Sequence, residues 1–230
     1  MKLTLVGLPL GNIEDISLRA IKALDSTPFI ICEDSRVFNK LWRKLEQLKL
    51  LNHPFTGRFF ILNDFNEKNK LPQALDQLKE IGEGILVSDA GLPTISDPGY
   101  ALTNALLKQG GELDIIPGPT ASMSALTVSG FSADKVFFLG FLPKKTSKIN
   151  KQLDLLNPLI GQGITIIIYE SPYRLRKTLN LLLTRFKTDT PAVLIRELTK
   201  AHQQIIRSNL SDLATTPKIF KGELVLLLRI

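Results

Sequence analysis

The sequence predicts an α/β chain folded as two domains. Three observations carry this expectation. Short apolar runs alternate with amphipathic stretches from the first residues onward; most of these runs open into a loop rich in Gly, Pro, Asp or charge; and the pattern changes from Ser122, just past a boundary near Pro117 to Thr120. Strands separated by helices pair in parallel, and the loops beyond their carboxyl ends are where α/β proteins hold ligands.

Taken in order, Lys2–Val6 reads as a strand and Gly7-Leu8-Pro9-Leu10-Gly11-Asn12 as the loop after it. Asn12 suits an N-cap, with Ile13, Ile16, Ala20, Ile21 and Leu24 at the spacing of one helix. The loop matches neither G-x-G-x-x-G nor G-x-x-x-x-G-K-[ST], which disfavours an ordinary dinucleotide or phosphate-loop site. Phe29–Cys32 is a second strand ending in Glu33-Asp34-Ser35-Arg36, a cluster that fits a site as well as a solvated strand end. Residues 37–50 form a basic helix, and 59–62 a strand. The polar run 63–70 leads to a helix near 72–81. Trp42 and the Phe59-Phe60 pair could stack bases, although most aromatics at such spacing belong to a core.

The run 85–87 is a buried strand, and the twelve residues after it, SDAGLPTISDPG, hold two prolines, two glycines and two aspartates. Glycine admits a ligand close to the backbone, proline pre-sets a turn and aspartate accepts hydrogen bonds. That density points to a binding loop ahead of the helix Tyr100–Lys108. The strand 113–116 then ends in Pro-Gly-Pro-Thr-Ala, which closes five strand-to-loop units and a first domain over 1–117.

The second domain, 118–230, reads as helix 122–128, strand 135–141, a basic loop 144–148 and helix 151–156. There follow strand 164–169 with the polar end Glu170-Ser171-Pro172-Tyr173-Arg174, helix 175–186, and strand 192–195 running into Arg196-Glu197-Leu198-Thr199-Lys200. Strands 203–207 and 223–230 close it around a short helix at 211–214.

Composition narrows the class. With 230 residues, 44% hydrophobic and 22% charged, the chain has material for a core and is not of the disordered type. The single Cys32 excludes an internal disulfide and a cysteine-based zinc cluster, and two histidines, His53 and His202, make a histidine-rich metal site unexpected. No metal is therefore expected. No apolar run is long enough to span a bilayer and the first residues do not read as a signal peptide, so no membrane association and a cytoplasmic location are expected. A net charge of +7 is compatible with a nucleic-acid partner without requiring one.

Seven segments in one order, LPLGNIEDISLRA, CEDSR, SDAGLPTISDPG, IPGPTA, GFLPKK, YESPYR and RELTK, give the chain a close resemblance to the ribosomal RNA small subunit methyltransferase I family. The resemblance spans essentially the whole chain. It implies a two-domain tetrapyrrole-methylase-like fold, with a parallel-sheet N-terminal domain, a mixed-sheet C-terminal domain and the cofactor in the cleft between them. It also implies 2'-O-methylation of a cytidine in the decoding region of 16S rRNA within the small ribosomal subunit, with S-adenosyl-L-methionine as methyl donor, by a homodimer. By that resemblance Pro9, Leu10, Gly11, Asp89, Ala90, Gly91, Leu92, Pro93, Thr120, Ala121 and Tyr169 bind the cofactor. Glu33, Asp34 and Glu170 are the candidate bases, with Glu197 behind them; each has an arginine close in sequence and so an ion-pair reading as well. Arg36, Lys144, Lys145, Arg174 and Arg196 are the candidate RNA contacts. The chain departs from the family pattern at Leu8 and Leu92, where threonines are usual, at Gln203, where glutamate is common, and at 63–67, where a His-Glu-His-Asn-Glu stretch is expected. A small-molecule methylase of the same fold, and a ribosome-binding homologue impaired in catalysis, are the alternative readings.

Overall fold

Alternation along the strands builds the first layer system in the computed structural model, which describes residues 1–51, 54–216 and 221–230; His53 lies outside the described residues. In β1 (Lys2–Val6), Leu3 and Leu5 point to one face while Val6 points to the other. In β2 (Phe29–Cys32), Phe29 and Ile31 oppose Ile30 and Cys32 in the same way. With β3 (Arg58–Ile61), β4 (Glu83–Val87) and β5 (Glu112–Ile116) they form an all-parallel sheet in the order β3-β2-β4-β1-β5. Helices α1 (Leu18–Ser26) and α2 (Ser35–Gln47) cover one face through Ala20, Leu24, Phe38, Trp42 and Leu45. Helices α3 (Glu67–Ile81) and α4 (Tyr100–Lys108) cover the other through Ala74, Leu75, Leu78, Leu102 and Leu106. The central strands β1, β2 and β4 are thus covered on both faces, as a parallel sheet requires, while the edge strand β5 stays exposed up to Ile116.

The chain divides into two compact units, Met1–Thr120 and Ala121–Ile230. The second contains α5 (Ala121–Ser129), β6 (Val136–Phe141), α6 (Thr146–Asp154), β7 (Thr165–Glu170), α7 (Pro172–Leu183), β8 (Pro191–Arg196), β9 (Gln204–Asn209), α8 (Leu210–Thr215) and β10 (Leu224–Arg229). Its sheet runs β6-β7-β10-β8-β9, with β6 and β7 parallel and the remaining neighbours antiparallel, so it is mixed. Helices α6, α7 and α8 pack on one face over Ile166, Ile168, Leu194 and Leu226, and α5 packs on the other over Ile167, Val193 and Leu227.

Four expected boundaries are corrected. Asn12 caps only one 3-10 turn, Ile13–Asp15, accepting from Glu14 N at 3.1 Å; Ser17 then caps α1 through Ala20 N at 3.1 Å, so the predicted single helix is two. Helix α2 starts at Ser35 because the Asp34 carboxylate takes the Arg36 N–H at 2.8 Å. Helix α3 extends back to Glu67 and holds Pro72 inside it, so the second half of the polar run 63–70 is helical. The basic loop is shorter than expected, since α6 begins at Thr146 and takes in Lys148.

Candidate active site

Five strands of the first unit end at one edge, and their loops are tied together by backbone. Gly7 N donates to Ile116 O at 3.0 Å, and Leu8 and Gly91 exchange two hydrogen bonds of 2.8 and 3.0 Å. Gly7 and Gly118 touch so closely that a Cβ on Gly7 would sit 2.6 Å from Gly118 N, so only glycine fits there. Asp34 N donates to Asp89 Oδ1 at 3.2 Å, and Leu62 N to Cys32 O at 2.9 Å. The residues after β1, β2, β3, β4 and β5 therefore share one edge. Pro9, Leu10, Gly11, Asp89, Ala90, Gly91, Leu92 and Pro93 lie there, with Thr120 closing the unit.

The loop after β4 is held in an unfavourable backbone. Thr94 and Ser96 have φ of 73° and 65°, a region that costs a non-glycine residue about 1–3 kcal/mol. What steadies its far end is Glu67, whose Oε1 accepts from Gly99 N and Ala101 N, both at 3.0 Å. Helix α4 has no cap of its own at Gly99, so a carboxylate from α3 supplies one. Sequence reasoning passed over Glu67; the one available signal was a helix start preceded by glycine rather than Ser, Thr, Asp or Asn.

Electrostatics separate the carboxylates of this edge. Burial, then the charges of Asp89, Asp97, Asp64 and Asp34, push the Glu33 carboxyl up to about 7. Asp89 is also raised, mainly by burial and against the Asp34 N–H it accepts. Asp34 goes the other way: the Arg36 guanidinium, 2.7 Å from Oδ2 and 3.0 Å from Oδ1, and the Arg36 N–H hold it down at about 2. Arg36 is itself 87% exposed. Beneath them the Cys32 thiol is pushed up to about 12 by burial and by Asp89 and Asp34, so it is inert. Among the described residues no group of three or more His, Cys, Asp and Glu could hold a metal ion.

In the second unit β6, β7 and β8 run in one direction, which puts the ends carrying GFLPKK, YESPYR and RELTK at one edge of its sheet. Here the charges satisfy one another. The Glu170 side chain is 0% exposed; its oxygens accept from Ser171 N at 2.8 Å and from the Thr178 hydroxyl, and Arg174 Nε lies 3.5 Å away. Arg174 spends its Nη2 on Leu142 O and Pro143 O, at 2.7 and 3.1 Å, and so fixes the loop that carries Lys144 and Lys145. Arg196 donates to Gln204 Oε1, Lys221 O and His202 O. Glu197 accepts from Lys200 at 3.2 Å and from Glu223 N at 2.8 Å. Tyr169 packs between Phe138 and Phe141, and its hydroxyl oxygen accepts the Ser122 N–H at 2.9 Å, just after Ala121 at the start of α5. Lys144, Lys145 and Lys148 are exposed, as is Tyr173, at 98%. Trp42 and Phe60 are core residues, and Phe59 packs on Phe38 and Phe55.

Known proteins of this build define the class. Residues 2–214 match the family of tetrapyrrole (corrin/porphyrin) methylases. The uroporphyrin-III C-methyltransferase of Thermus thermophilus, complexed with S-adenosyl homocysteine, superposes with a TM-score of 0.68 at 16% identity, over 99% of this chain and 97% of that one. Diphthine synthase gives 0.73 at 16% identity, over 100% and 90%. These likenesses establish the fold. Within the class, the ribosomal RNA small subunit methyltransferase I of Thermotoga maritima is 39% identical over 92% of this chain and 89% of its own length. That of Mesomycoplasma conjunctivae is 36% identical over 100% and 91%. The chain belongs to the ribosomal RNA small subunit methyltransferase I family, and it is a methyltransferase.

Proposed function

We propose that this protein transfers a methyl group from S-adenosylmethionine to the ribose 2'-hydroxyl of a cytidine in the decoding region of 16S rRNA, with the small ribosomal subunit as substrate. The observation that carries the chemistry is Glu33, a half-buried carboxyl titrating near neutrality at the end of β2, next to the loop that bears Asp89. Family membership supports the rRNA substrate, and the exposed lysines after β6 support an anionic one.

The donor set suits such a cofactor. The Leu8–Gly91 bridge holds the two loops together, glycine at position 91 leaves its backbone uncovered by a side chain, and Asp89 offers a carboxylate to hydroxyls or an ammonium. A sulfonium is a cation, and the acidic edge of Glu33, Asp89 and Asp97 favours positive charge. When bound, S-adenosylmethionine supplies a methyl group already activated by that sulfonium. The chain's own task is then to place the acceptor and manage one proton. Glu33 takes the hydroxyl proton as the ribose oxygen gains its methyl group. Asp34, neutralised by Arg36, orients the start of α2 and the Asp89 loop. Asp89 accepts the Asp34 N–H with one oxygen and keeps that loop against β2. In the second unit Arg174 and Arg196 position loops, and Lys144 and Lys145 hold phosphates.

A tetrapyrrole substrate fits less well, because its carboxylate side chains meet a negative edge. We assign the working form as a homodimer, supported by exposed Tyr100 and Leu107 on α4 and Met123 on α5; light scattering giving the mass of one chain at micromolar concentration would exclude it. Among the described residues no helix is long and apolar enough to cross a membrane. The deciding experiment is nucleoside mass spectrometry on 16S rRNA from cells with and without the protein. Loss of one 2'-O-methylcytidine supports the assignment, and an unchanged profile refutes it.

A further inference from the structure

The turn between β3 and α3 holds a phenylalanine almost entirely in water: Phe65 is 97% exposed. Single exposed apolar residues are common and need no explanation where the chain is free to fold them down. This one is not free. Asn63 Oδ1 accepts from the N–H groups of Phe65 and Asn66, both at 3.2 Å; Asn66 Oδ1 accepts from Asn63 N at 2.9 Å; and Asn66 Nδ2 donates to Ile61 O at 3.3 Å. Four hydrogen bonds from two asparagines fix the turn in the form that keeps the ring out. The turn also lies beside Glu33, since the last bond between β2 and β3 joins Leu62 N to Cys32 O and the charge of exposed Asp64 is felt at Glu33.

We propose that Phe65 is a stacking platform for a nucleobase of the RNA substrate, with Asp64 accepting from that base's exocyclic amine; the proposal rests on the rRNA reading above. An aromatic face stacks on any base, and a carboxylate next to it favours bases that carry an exocyclic amine, cytosine, adenine or guanine, over uracil, which has none. The same acidic surroundings disfavour phosphate or an anionic membrane at this spot, so the base and ribose rather than the RNA backbone meet the ring. The turn thus selects the base while Glu33 receives the proton from the ribose.

The test compares wild type with Phe65→Ala and Phe65→Trp on purified small ribosomal subunits, on isolated 16S rRNA, and on labelled single-stranded oligonucleotides rich in cytidine or uridine. Phe65→Ala should raise KM for subunits about 5- to 100-fold, the range of one lost base stack. Affinity for S-adenosylmethionine, read by calorimetry, should be unchanged, and Phe65→Trp should restore KM. Asp64→Asn should narrow the preference for cytidine over uridine oligonucleotides. Unchanged KM in Phe65→Ala overturns the proposal. So does weakened binding to subunits with unchanged binding to naked rRNA and oligonucleotides, which would make Phe65 a contact to a ribosomal protein. Should wild type methylate no small-subunit RNA, the rRNA reading fails on its own, and the ring is then judged by oligonucleotide anisotropy alone: equal affinity of wild type and Phe65→Ala overturns it.

Discussion

The two sheets end in similar sequence and in different physics. After β2 and β4 of the first unit the carboxylates crowd one another: Glu33 has Asp89, Asp97, Asp64 and Asp34 around it, and its proton is held up to about 7. After β7 and β8 of the second unit, Glu170 meets Thr178, Ser171 and Arg174, while Glu197 meets Lys200. Charges that satisfy each other fix loops, and charges held against their preference are available for chemistry. This comparison supports the proposal that the proton acceptor lies in the first unit and that the arginines of the second anchor loops.

The largest effect that tests the contrast is on turnover. Glu33→Gln should lower kcat about 100- to 10,000-fold, the span of a lost general base, with cofactor affinity retained by calorimetry. In the wild type kcat/KM should climb as pH rises through about 7, where Glu33 loses its proton, and the variant should lack that limb. Stability gives an independent reading. The folded state holds the Glu33 proton above the ordinary carboxyl value of 4.5, so it binds more protons than the unfolded chain between about 4.5 and about 7, and stability contributed by the protonated form is lost as pH rises through that window. Glu33→Gln should flatten this slope in melts taken across it. A variant with wild-type turnover would return the role to Asp34 or Glu170.

Glu170→Ala should act on folding instead. Removing a fully buried carboxylate takes the acceptor from the buried Thr178 hydroxyl and from Ser171 N, and the counter-charge from Arg174, which keeps its two carbonyls; the loss is about 3 kcal/mol by analogy with broken buried pairs. The expected result is a Tm lower by several degrees and, below it, kcat within a few-fold of wild type. Collapsed turnover at unchanged Tm would instead place Glu170 in the chemistry.

Next in size is the loop proposed to hold the cofactor. Gly91 has φ of +77°, and a Cβ there would meet Leu10 Cδ2 at 3.2 Å, so Gly91→Val strains the Leu8–Gly91 bridge by about 1–3 kcal/mol. Affinity for S-adenosylmethionine should fall about tenfold, more than in any lysine variant of the second unit. Calorimetry giving equal affinity would remove this bridge from the binding site.

Most of this contrast was not legible in the sequence, although its positions were. Short apolar runs flanked by Gly, Pro and Asp marked the strands of the first unit because burial on both faces of a parallel sheet leaves little room for polar residues. Loops at their ends marked the site edge for the same topological reason. What a carboxylate does there depends on neighbours distant in sequence. Asp34 and Glu33 are adjacent, yet one caps a helix under Arg36 while the other is packed among acids from two other loops. Glu67 reaches Gly99 across 32 residues, and Arg174 reaches Leu142 across 32, distances no local pattern encodes. Helix starts failed where a competing cap was nearby, as Ser17 against Asn12.

The smallest expected effect separates holding RNA from holding the fold. Lys144 and Lys145 are exposed beside a loop that Arg174 keeps in place through two carbonyls, so replacing both lysines leaves that loop's anchor intact. Each lysine that neutralises a phosphate releases a counterion, and on single-stranded RNA two lost contacts should reduce the slope of log affinity against log salt by about 1.4. Lys144→Ala with Lys145→Ala should therefore bind small subunits more weakly at low salt and approach wild type at high salt, with Tm and cofactor affinity unchanged. Arg174→Ala should differ in kind: it frees the loop and exposes Glu170 to a missing partner, so its loss appears in the melt at every salt concentration. Were the double lysine variant to keep the wild-type salt slope, the phosphates would not pass along the second unit's edge, and the basic face of α2 with Lys40, Arg43 and Lys44 would be the next surface to test.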